Sequence, residues 1–144
     1  MKLTNIILII LTGFTFIFTS CTEEEPTIVP DVYVNFSINL DLPQYNSLRS
    51  IQNSIIEPNR GYDGNGVIIY RYSHEEFIAF DATCPQHINN SVAVTLDEEG
   101  TAGTATCPHC KTTYSFFNFG QADNGYPLKR YQTTFQGSFV QVSN

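Results

Sequence analysis

Two short segments of the sequence carry residue types that bind metal ions. Residues 84–87 read Cys-Pro-Gln-His, and residues 107–110 read Cys-Pro-His-Cys. Two residues separate the candidate ligands in each segment, and a tight turn of that length can aim both side chains at one ion or cluster. The proline in second position favours the turn. The spacing therefore predicts one metal site with four ligands: Cys84, His87, Cys107 and Cys110.

The cysteine count also favours a metal site over a disulfide framework. The chain has four cysteines, and Cys21 lies at the end of an apolar N-terminal segment, apart from the other three. An odd number in the remaining domain allows at most one disulfide and leaves one thiol over. This count indicates another use for Cys84, Cys107 and Cys110.

The motifs and their flanks resemble the Rieske iron-sulfur domain, an all-β module that holds a two-iron, two-sulfur cluster between two loops. Residues 76–85, EFIAFDATCP, are similar to the strand that enters the family's first cluster loop, and residues 107–115, CPHCKTTYS, are similar to its second loop. The resemblance covers residues 66–135. It implies a small antiparallel β-barrel or sandwich in which Cys84 and Cys107 bind the inner iron.

The sequence departs from the family pattern at the outer iron. Gln86 stands where the first loop has its histidine, and His87 follows one place later. Cys110 stands at the second histidine position, and Lys111 replaces a glycine. The resemblance therefore implies outer ligands Cys110 and, through a one-residue bulge, His87.

Four interpretations of the motifs follow. A two-iron cluster with three thiolates and one imidazole would transfer electrons, at a potential that the added thiolate lowers. Zinc would form a closed structural site. A metal-free domain would keep the fold, with Cys107 and Cys110 free or joined in a disulfide. A thiol–disulfide oxidoreductase at residues 107–110 is disfavoured, because such motifs usually begin a helix and residues 112–117 are β-like.

The remaining histidines and acidic residues predict no catalytic group. His109 lies between two candidate ligands and would point away from them, and His74 lies in a polar hairpin turn. No Ser/His/Asp set and no pair of placed carboxylates is recognisable, so catalysis by the chain alone is not expected.

The elements that must position the motifs are strands. Apolar residues alternate from Val32 to Leu42, which predicts a half-buried strand. Further β-rich runs cover 66–72, 77–80, 91–96, 103–106, 129–135 and 138–142, with turns between them. No clean helical stripe is present, including in residues 43–54. The pattern predicts an all-β fold, a small antiparallel barrel or sandwich.

Composition excludes nucleic acid as a partner. The sequence has 14 acidic against 7 basic residues, a formal net charge of -7. It contains no basic run, so it lacks the charge that neutralises phosphates. Its length and 42% hydrophobic content fit one globular domain.

The N-terminal residues predict export and lipidation. Residues 1–20 form a signal peptide, in which Lys2 precedes an uncharged apolar stretch at 6–18. Residues 18–21 resemble a bacterial lipobox, which implies lipid on Cys21. Residues 21–30 form a polar tether, and residues 31–144 form the domain. The signal lacks paired arginines, which indicates export as an unfolded chain and weighs against a cluster assembled inside the cell.

The sequence as a whole therefore predicts a Rieske-like lipoprotein anchored in the outer membrane, on its periplasmic or surface side. Its iron-sulfur cluster or other metal site would transfer electrons to a redox protein. The alternative is a metal-free or structural-zinc module that binds a partner or serves a structural role.

Overall fold

The computed structural model describes residues 28–144 and builds them from short strands and 3₁₀ turns. The signal peptide, Cys21 and most of the tether lie outside the described residues. In chain order the strands are β1 Asn35–Asn39, β2 Ser54–Glu57, β3 Val67–Arg71, β4 Phe77–Asp81, β5 Thr95–Leu96, β6 Thr104–Thr106, β7 Thr113–Ser115, β8 Gln121–Ala122, β9 Arg130–Gln136 and β10 Phe139–Ser143. The 3₁₀ segments are Pro43–Arg49, Tyr62–Gly64, Pro85–Asn90 and Asp97–Gly100.

The strands form two sheets in which every paired neighbour is antiparallel. Six strands make the larger sheet, in the order β1-β10-β9-β4-β3-β2, and four make the smaller, in the order β5-β6-β7-β8. The prediction of an all-β antiparallel fold is confirmed. Within residues 28–144, no helix is long and apolar enough to cross a membrane.

One hydrophobic core covers the inner face of the larger sheet. It packs alternating side chains of β1, β3, β4, β9 and β10 against the 3₁₀ helix Pro43–Arg49. Its buried members are Val34, Phe36, Ile38, Leu40, Tyr45, Leu48, Val67, Ile69, Phe77, Ala79, Tyr131, Val140 and Val142.

A second core lies between the outer face of β3 and β4 and the smaller sheet. Its buried members are Ile68, Tyr70, Ile78, Phe80, Ala82, Cys84, Val94, Ala105, Cys107, Tyr114, Phe116 and Leu128. Because β3 and β4 contribute to both cores, they are buried on both faces. Two of the predicted metal ligands are therefore also core residues of the smaller sheet.

A buried lysine holds the first residues of the domain in place. The Lys129 ammonium, 4% exposed, donates to the Asp31 carboxylate at 2.6 Å and to the Pro30 carbonyl at 2.7 Å. A buried charge requires such partners, because a low-dielectric interior penalises an unpaired ammonium. This contact fixes residues 30 and 31 against the start of β9.

The structure corrects the predicted strand boundaries in three places. Only Asn35–Asn39 of the predicted 32–42 strand is paired as a strand, and only Thr95–Leu96 of the predicted 91–96 strand. The stretch without a helical stripe contains the 3₁₀ helix Pro43–Arg49 and the start of β2. A 3₁₀ helix has three residues per turn and is short, so it leaves no 3.6-residue pattern to find.

Candidate metal centre

The first site loop begins where β4 ends. The Cys84 N–H donates to the Val92 carbonyl at 2.8 Å, and the His87 N–H donates to the Cys84 carbonyl at 3.0 Å. Residues 85–90 form 3₁₀ turns that meet at His87, whose φ of -128° departs from helical values. This turn returns the His87 ring to Cys84, and its Nδ1 lies 3.7 Å from the Cys84 Sγ.

The second site loop joins β6 to β7. The Cys107 N–H donates to the Thr112 carbonyl at 2.9 Å, and the Lys111 N–H donates to the Cys107 carbonyl at 3.0 Å. Lys111 adopts a φ of +63°, in the left-handed region that glycine occupies most easily. Lys111, which stands where the Rieske pattern has a glycine, therefore adopts the backbone conformation that favours glycine. The Lys111 ammonium also donates to the Pro108 carbonyl at 2.8 Å.

The two loops bring the four predicted ligands together. One ligand atom from each of Cys84, His87, Cys107 and Cys110 lies within 4.8 Å of all the others. The Sγ atoms of Cys84 and Cys110, one from each loop, are 3.8 Å apart. Ligands 26 residues apart in the chain thus face one point.

These separations fit one tetrahedral ion. Metal–sulfur bonds of about 2.3 Å place the ligand atoms of a tetrahedron about 3.8 Å apart. A two-iron, two-sulfur core places ligands of different irons farther apart, because both irons and the bridging sulfides lie between them. The donor set and its spacing therefore fit a single ion better than a two-iron cluster.

The site has a buried half and a partly exposed half. Cys84 and Cys107 are fully buried in the core of the smaller sheet. Cys110 and His87 lie at the surface and are half-buried. An ion held between the halves would be anchored in the core and accessible from one side.

The two halves differ in thiol acidity. Burial raises the pKa of the Cys84 thiol to about 11, against a hydrogen bond from the Tyr114 hydroxyl at 3.3 Å that lowers it. Burial also opposes ionisation of Cys110, but the Thr112 hydroxyl and N–H and the neighbouring thiols outweigh it and lower the pKa to about 7. Of Cys84 and Cys110, Cys110 is thus the thiol more readily available as a thiolate ligand.

Gln86 and His109, which flank the ligands, lie outside the four-atom group. The Gln86 side chain donates to the Thr112 Oγ1 at 3.0 Å and to the Asn124 carbonyl at 2.7 Å. It thereby connects the first loop to the second loop and to the turn before Tyr126. The His109 ring lies against the His87 ring, with centroids 4.2 Å apart.

Other residues support the site without being marked by any motif. Asp81 ends β4 and is fully buried. Its carboxylate accepts from the Tyr62 N–H at 2.6 Å, the Tyr131 hydroxyl at 2.6 Å and the Thr83 N–H at 2.8 Å. Sequence reasoning missed Asp81, because its donors come from residues up to 50 positions away. The carboxylate holds the backbone immediately before Cys84.

Tyr114 was missed in the same way. It lies on β7, and its hydroxyl contacts the Cys84 Sγ within the second core. Burial raises its pKa, and the adjacent Cys84 adds to the effect. The phenol therefore stays protonated as a hydrogen-bond donor to a Cys84 thiolate.

His74, in contrast, has no part in the site. It lies in the exposed hairpin turn between β3 and β4, and its backbone carbonyl accepts from the Arg71 guanidinium at 2.7 Å. The interpretation of His74 as an exposed turn residue agrees with this placement.

No protein-family model matches the sequence, and no curated protein matches it. Among solved structures, the chain is similar to the ferredoxin of carbazole 1,9a-dioxygenase from Nocardioides aromaticivorans, at 15% identity and a TM-score of 0.48, over 78% of this chain and 98% of that one. It is also similar to a protein assigned as an NADH-dependent nitrite reductase small subunit from Mycobacterium tuberculosis, at 13% identity and a TM-score of 0.44, over 79% and 97% of the two chains.

A third similar structure is a protein assigned as a nitrite reductase small subunit, at 14% identity and a TM-score of 0.44, over 77% of this chain and 99% of that one. All three likenesses are at 15% identity or less. At this level of similarity they assign no cofactor, substrate or partner to this chain.

Proposed function

We propose that the domain holds one tetrahedral metal ion through Cys84, His87, Cys107 and Cys110, and that the ion is zinc. The observation that supports this most directly is the mutual separation of the four ligand atoms, none more than 4.8 Å from another. Three thiolates and one imidazole form a donor set typical of structural zinc.

Zinc in this site would stabilise the fold and would not catalyse. Four protein ligands complete its coordination and leave no position for water or substrate. The ion would join the loop after β4 to the loop between β6 and β7. It would thereby hold the smaller sheet on the larger one.

Electron transfer through iron in the same site is the second candidate. The half-buried positions of His87 and Cys110 favour it, because electron exchange requires a metal near the surface. A single iron fits the observed separations, whereas a two-iron cluster requires the two halves of the site to move apart.

Metal analysis with an absorbance spectrum, on protein isolated from its native envelope, separates these candidates. Zinc gives about one ion per chain and no visible absorption. Iron gives visible charge-transfer bands, and two iron atoms with acid-labile sulfide identify the cluster. Protein that contains no metal and binds none from added Zn²⁺ contradicts the proposal.

Alanine substitution tests the ligand set. Each of Cys84→Ala, His87→Ala, Cys107→Ala and Cys110→Ala is expected to abolish or greatly weaken metal binding, since each removes one of four ligands. His109→Ala is the matched control, because it removes a neighbouring imidazole that the four-atom group excludes. Metal retained by His87→Ala but lost from His109→Ala or Gln86→Ala would show that the first-loop ligand is misassigned.

We also propose that lipid on Cys21 anchors the protein to the outer membrane. Support comes from the apolar stretch at 6–18 and the lipobox-like residues 18–21. Cys21→Ser is expected to move the protein from the membrane fraction to the soluble fraction. If the variant stays membrane-bound and uncleaved, the segment is an ordinary anchor.

A further inference from the structure

The outer face of β1, β10 and β9 carries a regular grid of side chains on the larger sheet. The strand register places them in three rows of three, one residue from each strand. The grid consists of Asn35, Ser143 and Gln132, then Ser37, Gln141 and Thr134, then Asn39, Phe139 and Gln136. The alternate residues of β1 and β10, such as Phe36 and Val140, are buried in the first core, so the grid faces solvent.

The grid carries no charge. The chain has 14 acidic and 7 basic residues, yet eight of the nine grid positions are amides or hydroxyls and the ninth is Phe139. Surface strands usually carry lysine and glutamate, which keep a sheet soluble and prevent association. A patch of this size without either type selects against a charged ligand.

The amides and hydroxyls have spare hydrogen-bonding capacity. Ser37, Thr134, Gln136, Phe139 and Gln141 line a shallow depression of about 340 Å³. Within the described residues, the side chains of Ser37, Thr134 and Gln136 make no hydrogen bond to another protein group. Each can donate and accept at once, as the hydroxyl groups of a sugar do.

Two exposed aromatic rings lie near opposite ends of the grid. Phe139 is 54% exposed, and Tyr33 is 85% exposed. The Tyr33 hydroxyl accepts from the Asn35 side chain at 3.1 Å, which places the ring beside the first row. Tyr33 lies six positions before Asn39, the β1 residue opposite Phe139, and six positions of extended chain span about 20 Å. The spacing suits an elongated ligand.

We propose that this grid binds a neutral oligosaccharide. The C–H groups on one face of a sugar ring pack against an aromatic face, and the sugar hydroxyls pair with the amides and hydroxyls of the rows. An anionic lipid surface would find no cation within the grid, and the neighbouring Arg130 guanidinium lies over the Phe119 ring, 5.0 Å from its centroid. A second copy of the chain would bury only one apolar side chain of the grid. An extended peptide would pair with a free strand edge and not with a face.

The test uses the full chain, purified in a detergent without a sugar headgroup. The probes are the neutral hexasaccharides of cellulose, xylan, mannan and amylose, with the hexamer of galacturonic acid as a charged comparison. Binding is measured by titration calorimetry. At least one neutral probe is expected to bind, and the charged probe is expected to bind at least about tenfold more weakly.

Substitutions assign the binding to the grid. Phe139→Ala is expected to weaken binding roughly three- to tenfold through lost ring contact, and Gln141→Ala to weaken it as well. Phe117→Ala is the matched control, because that phenylalanine is 62% exposed and lies outside the grid. Equal melting temperatures show that the variants remain folded.

Three results overturn the proposal. In the first, no neutral probe binds at millimolar concentration. In the second, Phe139→Ala binds with the same affinity as the unaltered chain. In the third, the charged hexamer binds as tightly as the neutral probes. A dimer in light scattering that Phe139→Ala dissociates would identify a second copy as the occupant instead. None of these results depends on the metal site.

Discussion

The strands of the larger sheet are four to seven residues long, whereas those of the smaller sheet are two or three residues long. Both sheets cover a core, but the cores differ in composition. The first contains only aliphatic and aromatic side chains among its buried members, whereas the second includes Cys84 and Cys107.

This difference indicates what each half of the molecule depends on. Strands of five or more residues that bury alternate side chains can be held by apolar burial, at about 25 cal/mol per Å². Two-residue strands make too few backbone hydrogen bonds to do so. We therefore expect the smaller sheet to rely on the proposed ion between the loop after β4 and the loop that joins β6 to β7.

Removal of the proposed zinc ion is expected to have the largest effect on stability, and to affect the smaller sheet more than the larger one. At a free zinc concentration 1,000-fold above the dissociation constant, bound zinc stabilises the native state by about 4 kcal/mol. A chelator should therefore lower the free energy of unfolding by about that amount. Hydrogen exchange is expected to accelerate in residues 95–122 and to change little in β1, β9 and β10. Equal acceleration in both sheets would contradict the comparison.

Asp81→Asn is expected to have the next largest effect, and to affect both sheets. Asp81 accepts from three donors on separate segments, and an amide nitrogen in place of one oxygen would face an N–H or O–H group. A buried unsatisfied donor costs about 1–3 kcal/mol. Chemical denaturation should show this loss with or without zinc. Tyr131→Phe, which removes a single donor, is the control and should cost less.

A smaller difference is expected between the two halves of the site. Cys84→Ala and Cys110→Ala should both lose the metal, but only Cys84→Ala also leaves a cavity in the second core. The added cost is about 1 kcal/mol for a side chain of this size. Comparing the free energies of unfolding of the two variants in the presence of a chelator isolates the cost of the cavity. Equal stability under those conditions would show that Cys84 contributes nothing to packing.

The smallest expected effect concerns Asp31. A hydrogen bond from Lys129, with the charge of that ammonium, lowers the pKa of the Asp31 carboxyl. A lowered native pKa stabilises the folded state above the usual value of 3.8, and this contribution is lost progressively as the pH falls from 3.8 through the lower native pKa. Asp31→Asn should therefore lower the melting temperature slightly at pH 7 and not at pH 2. A difference that persists at pH 2 would contradict the ion pair as its cause.

The sequence predicted the larger sheet well where one face is exposed. The alternation from Val34 to Leu40 marks β1, because buried and solvent-facing positions differ in polarity. β4 is buried on both faces and shows no alternation, so its run of apolar residues revealed a strand without its orientation. β2 and β8 were missed, because their short runs carry no pattern of their own.

The proximity of the four predicted residues could be foreseen from the sequence, but the contacts that support them could not. A spacing of two residues brings ligands into one turn, and this local rule is visible in the sequence. The contacts of Asp81, Tyr114 and Gln86 join segments 19 to 50 residues apart. Only the folded chain shows such contacts. The proposal of one ion rests on distances between ligand atoms, which the sequence does not give.

The Lys129 contact at residues 30 and 31 has a mechanical consequence. Among the described strands, β1 is at the edge of its sheet and pairs only with β10. A pull on the chain ahead of β1 would therefore break its hydrogen bonds one after another. Lys129 binds Pro30 and Asp31, which precede β1. Force on the chain would therefore be transmitted to β9, which is paired on both sides. Force from an N-terminal tether would therefore reach the middle of the sheet before it reached the edge. Load shared across several hydrogen bonds is resisted far better than load on one.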